Sequence, residues 1–420
     1  YPFSPPVFSY PLAVTIRPSC TRVAEFPTII TQNMIMGANN AALMAIPFFM
    51  LSGEIMARGG LSQRIVDFAN IAVGRFRGGL GYAAILASMI FAGLSGSPVA
   101  DAAALGGIMI PLMVKNGYSK ERSTGIICSG AVIAPIIPPS IPMIVLATGT
   151  GLSVGKMFMA GLVPGIILGI CLMVCWRVIV VHDKVDDTVR FTKEQIKHIL
   201  KDSLPALFMP ILIIGGIRFG IFTPTEAAAV SVVYGLFVGV FIYREVKWKD
   251  MGELLVDSGK TTGGIMLIIG SATLFAYICT IHGISQAAQG LLLDIAGNKI
   301  VFLLIVNVIF LIAGCFVDAN SAMYIFIPIM YPVAQQLGIN LVHFGVLSTV
   351  NLAIGQVTPP VGVNLFVAIG VADKLQGLKD KTKVTIASMS KAVWPMILAC
   401  VITLLVVTYV PFFSTVFLKG

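Results

Sequence analysis

The sequence predicts an all-α, polytopic membrane protein built as two inverted repeats, each holding a re-entrant hairpin and a broken helix. Three observations predict it. Of the 420 residues, 57% are hydrophobic and 11% charged, against about 25% charged in soluble domains; mean hydropathy is +0.94. Pro138-Pro139 and Pro359-Pro360 interrupt long apolar stretches and lie 221 residues apart. The chain around the second pair repeats the chain around the first, with an odd number of crossings between them.

Residues 1–26 form an atypical N-terminal segment. Residues 1–22 carry Pro2, Pro5, Pro6, Pro11 and Pro18 but no span-length apolar run and no charged signal-peptide region. The first repeat covers 27–182. It opens with a span over 41–57. Residues 60–78 interleave Arg64, Asp67, Arg75 and Arg77 with Ile65, Val66, Phe68, Ile71 and Val73, the pattern of an amphipathic helix lying along the interface. Residues 82–114 are apolar but broken at Ser95–Pro98, giving two arms of about 13–16 residues, short for a span at 1.5 Å per residue. A re-entrant hairpin fits. A broken span follows over 119–151, interrupted from Pro135 to Pro139, and then a full span over 157–181.

The connecting scaffold spans occupy 183–282. A charged, partly helical loop covers 182–201, and spans cover 203–219 and 226–243, joined by Phe222-Thr223-Pro224-Thr225. A polar helix over 246–257 and a span over 262–281 complete this part. The second repeat covers 283–420, with an interfacial helix (285–297), a hairpin (300–337), a broken span (342–372) and a last span (393–413). Its identities with the first keep one register of 221: Ala92-Gly93 with Ala313-Gly314, Ile108-Met109 with Ile329-Met330, Pro111 with Pro332, Gly117 with Gly338. Chance does not sustain that over about sixty residues.

Five crossings separate the equivalent points, so the second unit enters the bilayer from the opposite side. Charge agrees. The net charge is +9, and loops 60–78, 115–122, 182–201, 244–249 and 373–391 hold most of the Lys and Arg on one side, the cytoplasmic one. The same distribution leaves no basic soluble domain and no nucleic-acid partner. Seven cysteines form no C-x-x-C and read as small packing residues; the four histidines have no ligand spacing. No nucleophile–base pair or His/Glu metal set converges, so an enzyme is not expected.

Inverted repeats with broken helices at mid-depth are the architecture of alternating-access transporters. The first tip offers Ser95, Gly96, Ser97 and Pro98, with Asp101 one turn on, opposite carbonyls around Ile136–Ser140, including Pro138. The second offers Asp318, Asn320 and Ser321, opposite Gln356, Thr358 and Pro359. Hydroxyl, carboxylate and freed carbonyl oxygens are what Na⁺, a hard cation, takes as ligands. The competing reading is structural: small residues for close packing, Asp318 and Asp101 as helix caps. For Asp318 the two roles can coexist. Ser97, Thr148, Thr150, Asn351 and Asn364 are candidates to face a polar substrate. Half-helix N-termini after the breaks suit an anion. Glu226 reads as an N-terminal cap.

At these residues the chain resembles the large membrane subunit of tripartite ATP-independent periplasmic (TRAP) transporters. The resemblance is carried by Ala92-Gly93-Leu94-Ser95-Gly96-Ser97-Pro98-Val99-Ala100-Asp101, Ala134-Pro135-Ile136-Ile137-Pro138-Pro139-Ser140, Phe222-Thr223-Pro224-Thr225-Glu226-Ala227-Ala228 and Gly355-Gln356-Val357-Thr358-Pro359-Pro360-Val361-Gly362. It covers about residues 27–415, and residues 1–22 depart from it. It implies a bacterial inner-membrane location and an elevator mechanism, with hairpins and broken spans moving against a scaffold of the remaining spans. It implies two or more co-transported Na⁺ ions, one site at each tip. It also implies a small four-span membrane partner, a soluble periplasmic substrate-binding protein, and an organic acid of the C4-dicarboxylate or sialic acid type. A stand-alone divalent-anion/Na⁺ symporter also has inverted hairpins, but its tips carry Ser-Asn-Thr, which neither tip has here.

Overall fold

A computed structural model of the chain describes residues 21–181, 191–375 and 383–418. Every regular element among them is helical. The first repeat comprises α2 (Ala45–Arg58), α3 (Leu61–Val73), the hairpin arms α4 (Gly79–Ser95) and α5 (Pro98–Lys115), the broken pair α6 (Lys120–Gly130) and α7 (Ile141–Thr150), and α8 (Val154–Val181), all preceded by α1 (Thr21–Ala38). Then come α9 (Lys193–Arg218), α10 (Pro224–Phe237, continued by a π-helical turn) and α11 (Met251–Ile281). The second repeat gives α12 (Ile284–Ala296), arms α13 (Lys299–Phe316) and α14 (Ala319–Gln336), the broken pair α15 (Leu341–Gly355) and α16 (Val363–Lys374), α17 (Ile386–Tyr409) and α18 (Phe412–Thr415).

The repeat extends to the caps. Both interfacial helices start after a left-handed glycine, Gly60 (φ 73°) and Gly283 (φ 69°), a conformation that favours a residue with no Cβ. In the 221 register, Ser97 and Asp318 are the N-caps of the second hairpin arms, and Ser119 and Asn340 those of the broken spans. Each cap's side-chain oxygen accepts amide N–H groups that the helix start leaves unpaired. Both proline pairs are cis.

Four expectations change. A helix, α1, precedes the span expected first, and it begins inside the segment set apart as 1–26. Thr28, Thr31, Gln32 and Asn33 dilute its apolar pattern; close packing on α11 holds it instead, where a Cβ at Gly37 would overlap Thr273 and one at Gly270 would come within 3.0 Å of the Met34 carbonyl oxygen. The hairpin arms run to 17 and 18 residues rather than 13–16, so they reach deeper, roughly 26 Å at 1.5 Å per residue. Residues 246–257 and 262–281 do not form two helices but one 31-residue helix, α11. The span expected over 203–219 starts earlier, at Lys193, inside the charged loop; residues 182–190 of that loop lie outside the described residues.

Two sets of helices can be followed in the packing, joined where α11 meets α14 and where α2 and α9 meet α4. Hairpin α4–α5, hairpin α13–α14 and the broken pairs pack on one another: α5 on α6 and α16, α14 on α7 and α15, α13 on α15. The last spans of each repeat, α8 and α17, pack mainly with this group, on α4, α6 and α15, and α8 touches the connecting span α9 only lightly. Glycines explain α8: a Cβ at Gly161 or Gly165 would overlap the first break, at Ile136 O and Ile137. The second group is α1, α2, α9, α10 and α11, with α2 packed closely on α10. Helix α11 is the least buried long span, with Leu267 and Phe275 outward, the surface a lipid bilayer covers.

Candidate functional site: two hairpin tips against two helix breaks

The first tip turns at Gly96 (φ 60°), between Ser95 and the cap Ser97. It lies directly on the first break: a Cβ at Gly96 would overlap the Pro139 carbonyl oxygen, and one at Gly93 would stand 3.6 Å from the Pro138 oxygen. The break is fully buried, from Pro135 to Ser140. Its backbone is partly satisfied from within, since the Ser140 hydroxyl donates to the Pro135 carbonyl at 2.5 Å. Asp101, at 0% exposure, receives a short hydrogen bond on Oδ1 from the Ser95 hydroxyl. Its Oδ2 is buried with no hydrogen-bond partner. A buried carboxylate with a vacant oxygen beside a hydroxyl, at a tip that itself lies on the break's carbonyls, is an arrangement a desolvated cation stabilises.

At the second tip Asp318 is the cap itself. Its Oδ2 accepts the amides of Asn320 (2.9 Å) and Ser321 (3.2 Å), and its Oδ1 accepts the Ser321 hydroxyl at 2.5 Å. The capping reading therefore holds, and Oδ1, which accepts one hydrogen bond, keeps capacity for a cation. The facing break is tied back by Gly362 N–H to the Cys315 carbonyl at 2.9 Å. The carbonyl oxygens of Gln356 and Thr358 converge on Gly362, where a Cβ would come within 3.1 Å of both. Thr358 donates its hydroxyl to Ile354 O at 2.8 Å. Unlike the first break, this one is partly open: Thr358 and Pro359 are half-buried and Pro360 exposed. Asn320 Oδ1 at the tip and both side-chain polar atoms of Asn364, in the first turn of α16, are buried without partners. Two elements of the site are thus brought together as expected, each tip with its break.

The polar-substrate candidates are not brought to one place. Ser97 lines a cavity of about 260 Å³ with Met50, Gly53 and Glu54 of α2. Thr148 lines another, of about 290 Å³, with Asn39, Asn40, Thr273 and Tyr324. The reason is helical rise: Thr148 and Thr150 stand roughly 11 and 14 Å beyond the start of α7. They meet Tyr324 and Tyr331 of α14 there. Asn351 is engaged elsewhere. Its amide donates to Asn307 O (3.1 Å) and Oδ1 (2.9 Å), and Asn307 in turn donates to Thr408 Oγ1 (3.1 Å), a buried network joining α13, α15 and α17. Of the five, only Ser97 and Asn364 adjoin a tip or a break. Glu226 forms a capping box with Thr223, as expected (Thr223 N–H to Oε2 2.8 Å).

The family whose description is "Tripartite ATP-independent periplasmic transporter, DctM component" matches residues 7–413. The chain belongs to the DctM family. The match begins inside the segment set apart as departing from it. The chain is 41% identical over 369 residues to the C4-dicarboxylate TRAP transporter large permease protein DctM of Pseudomonas aeruginosa, covering 88% of this chain and 84% of that protein. It is 39% identical over 383 residues to the 2,3-diketo-L-gulonate TRAP transporter large permease protein YiaN of Escherichia coli, covering 91% and 88%. The isethionate TRAP transporter permease protein DctMQ of Oleidesulfovibrio alaskensis is 38% identical over 377 residues, and the chain covers 57% of it. Among solved structures, the YdaH transporter of Alcanivorax borkumensis shares the fold, with a TM-score of 0.60 at 13% identity over 93% of this chain and 89% of that one. As a DctM-family permease the chain is a multi-pass protein of the bacterial inner membrane and a transport component.

Sequence reasoning missed Tyr324, Tyr331, Asn307 and Thr408. The tyrosines recur seven residues apart on α14, one helical face, which was the available signal. The Asn307–Asn351–Thr408 network spans about a hundred residues of sequence and had none.

Proposed function

We propose that this permease imports a small organic acid by Na⁺-coupled secondary transport, with one Na⁺ site at each tip facing its break. The observation that carries this reading is the Asp101 carboxylate, wholly buried, with one oxygen bonded to the tip residue Ser95 and the other unpartnered. An isolated ionised carboxylate at that depth costs several kcal/mol, and a bound cation offsets it. At the second tip Asp318, Ser321, Asn320 and Thr358 supply oxygen around the Pro359-Pro360 break. The anion is held by helix N-termini at Ser140–Ile141 and Gly362–Val363, with Asn364 and Ser97 as polar contacts. No Lys or Arg lines either of the two cavities, so recognition by amides and hydroxyls fits.

The substrate class follows the relatives, whose names give C4-dicarboxylate, 2,3-diketo-L-gulonate and isethionate. A C4-dicarboxylate is the first candidate and sialic acid the second. A periplasmic binding protein delivers the substrate and a small four-span subunit completes the membrane complex, as a tripartite family requires; this disfavours a stand-alone symporter. The hairpins, the broken helices, α8 and α17 move together as an elevator against α1, α2 and α9–α11.

The test is uptake by the complex in proteoliposomes, with candidate binding proteins and organic acids, with and without an inward Na⁺ gradient. Uptake that depends on both the binding protein and Na⁺ is expected. Equal uptake without Na⁺ would remove the coupling, and uptake without any binding protein would return the stand-alone reading.

A further inference from the structure

We propose that Glu54 forms a transient Na⁺ site on the cytoplasmic side of the first hairpin, through which the ion bound at Asp101 leaves. The inference rests on the Na⁺-coupling reading. Glu54 lies in α2, one turn before its cytoplasmic end, within a stretch apolar enough to cross the membrane. An ionisable residue there is costly and calls for a reason. The reason is not an ion pair. Glu54 makes no hydrogen bond or salt bridge among the described residues. The nearest arginine along the helix, Arg58, attracts it at a distance but is itself bonded to Glu253 at 3.1 Å and Asp257 at 2.6 Å.

Its surroundings suit a cation instead. Glu54 lines the cavity of about 260 Å³ that it shares with Ser95 and Ser97 of the hairpin tip, room for several waters around an ion. Ser95 is the link: it lines this cavity and donates to Asp101, whose other oxygen is buried and unpartnered. Asp101 is thus bonded to Ser95, and Ser95 and Glu54 border one cavity. The remaining lining is Met50, Phe91 and small residues, which offer an ion nothing. One carboxylate in a low-dielectric cavity attracts a cation leaving the tip. Helix α2 also packs on α10 and α11, so Glu54 is a fixed point past which the hairpin moves.

The test uses the whole complex, reconstituted with its binding protein outside, varying Na⁺ on each face separately. External Na⁺ drives uptake; lumenal Na⁺, on the cytoplasmic face, inhibits it. In Glu54→Gln the half-inhibiting lumenal concentration should rise at least about fivefold, with the external half-saturating concentration within about twofold of wild type. Glu54→Asp should recover most of the difference. Ala57→Lys places a cation in the same cavity without touching Glu54, and should weaken lumenal inhibition likewise should Glu54→Gln not assemble. Unchanged lumenal inhibition, or equal shifts on both faces, overturns the proposal. Wild-type uptake indifferent to Na⁺ on either face overturns the coupling itself, a distinct result.

Discussion

The two hairpin tips hold equivalent places in the repeat, yet their carboxylates do not correspond. In the 221 register Asp318 stands opposite Ser97, and Asp101 opposite Ala322. At the second tip the acid is the helix cap, half-buried, with three hydrogen bonds that a cap requires. At the first, serine caps and the acid sits one turn inside, where the helix buries it completely. The breaks differ in the same sense: the first is sealed by α8, the second is open at Pro360. A repeated backbone device therefore provides two chemically different sites. Asp318 has a full structural reason to exist without an ion, whereas Asp101 has one oxygen bonded across the turn to Ser95 and the other left unpartnered.

That difference orders the predictions. Asp101→Asn keeps volume and removes the charge, and should lower Na⁺-driven uptake by at least about tenfold, near 1.4 kcal/mol, while the protein still assembles. Full uptake with an unaltered Na⁺ response would erase the first site. Asp318→Ala loses both cap and ligand. Its half-saturating Na⁺ should rise, with a stability loss of about 1 kcal/mol from the cap; Asp318→Asn separates the two, since asparagine caps nearly as well. Ser97→Ala, at the equivalent position, should weaken Na⁺ dependence more than folding. A melting curve beside the Na⁺ titration distinguishes these outcomes. Equal behaviour of Asp101→Asn and Asp318→Asn in both measurements would collapse the comparison.

The next effect concerns how tightly each hairpin sits on its neighbours. Gly93 and Gly314 are register equivalents. A Cβ at Gly314 would meet backbone, Leu352 O at 2.9 Å and Gly355 Cα at 3.0 Å, whereas at Gly93 the nearest atom is the Pro210 Cβ at 3.1 Å, a ring edge. Backbone cannot yield as a side chain can. Gly314→Ala should thus destabilise by about 1–3 kcal/mol and Gly93→Ala by less, read as detergent-solubilised melting temperatures.

How much of this was legible in the sequence follows from periodicity and spacing. The hairpins, breaks, inversion and tip–break pairing came from apolar runs, proline pairs and a repeat register, all local or one-dimensional. Helix α1 did not, because its polar residues hide a helix held by close contact at Gly37 and Gly270. The grouping of α8 and α17 with the hairpins rests on glycines meeting a break far away in sequence. Likewise the tips could be named but the substrate residues could not be gathered, since Thr148 and Asn351 read as facing a polar substrate until helical rise and the hydrogen bonds to Asn307 placed them elsewhere.

The smallest prediction tests where the repeat's symmetry ends. Lys120, at the start of α6, pairs with Asp373 at the end of α16 at 2.9 Å, joining the two broken spans on the cytoplasmic face. Their register equivalents are Leu341 and Leu152, which cannot pair, so the brace exists on one side only. The Lys120 ammonium holds the Asp373 carboxyl below its usual range. A carboxylate depressed in the folded state adds stability above its unfolded pKa and loses it as pH falls through the folded one. Replacement by Asp373→Asn should therefore cost a constant amount between pH 8 and about pH 5, because Asp373 stays ionised there in both states. The cost should be small for the aspartate's part, which is a third exposed, and larger for Lys120, which is nearly buried and loses its carboxylate. Below about pH 4 the wild type loses its advantage and the two melting temperatures should converge. A gap that does not narrow at all as pH falls below 4, or that vanishes already at pH 6, would show that the pair does not brace the broken spans.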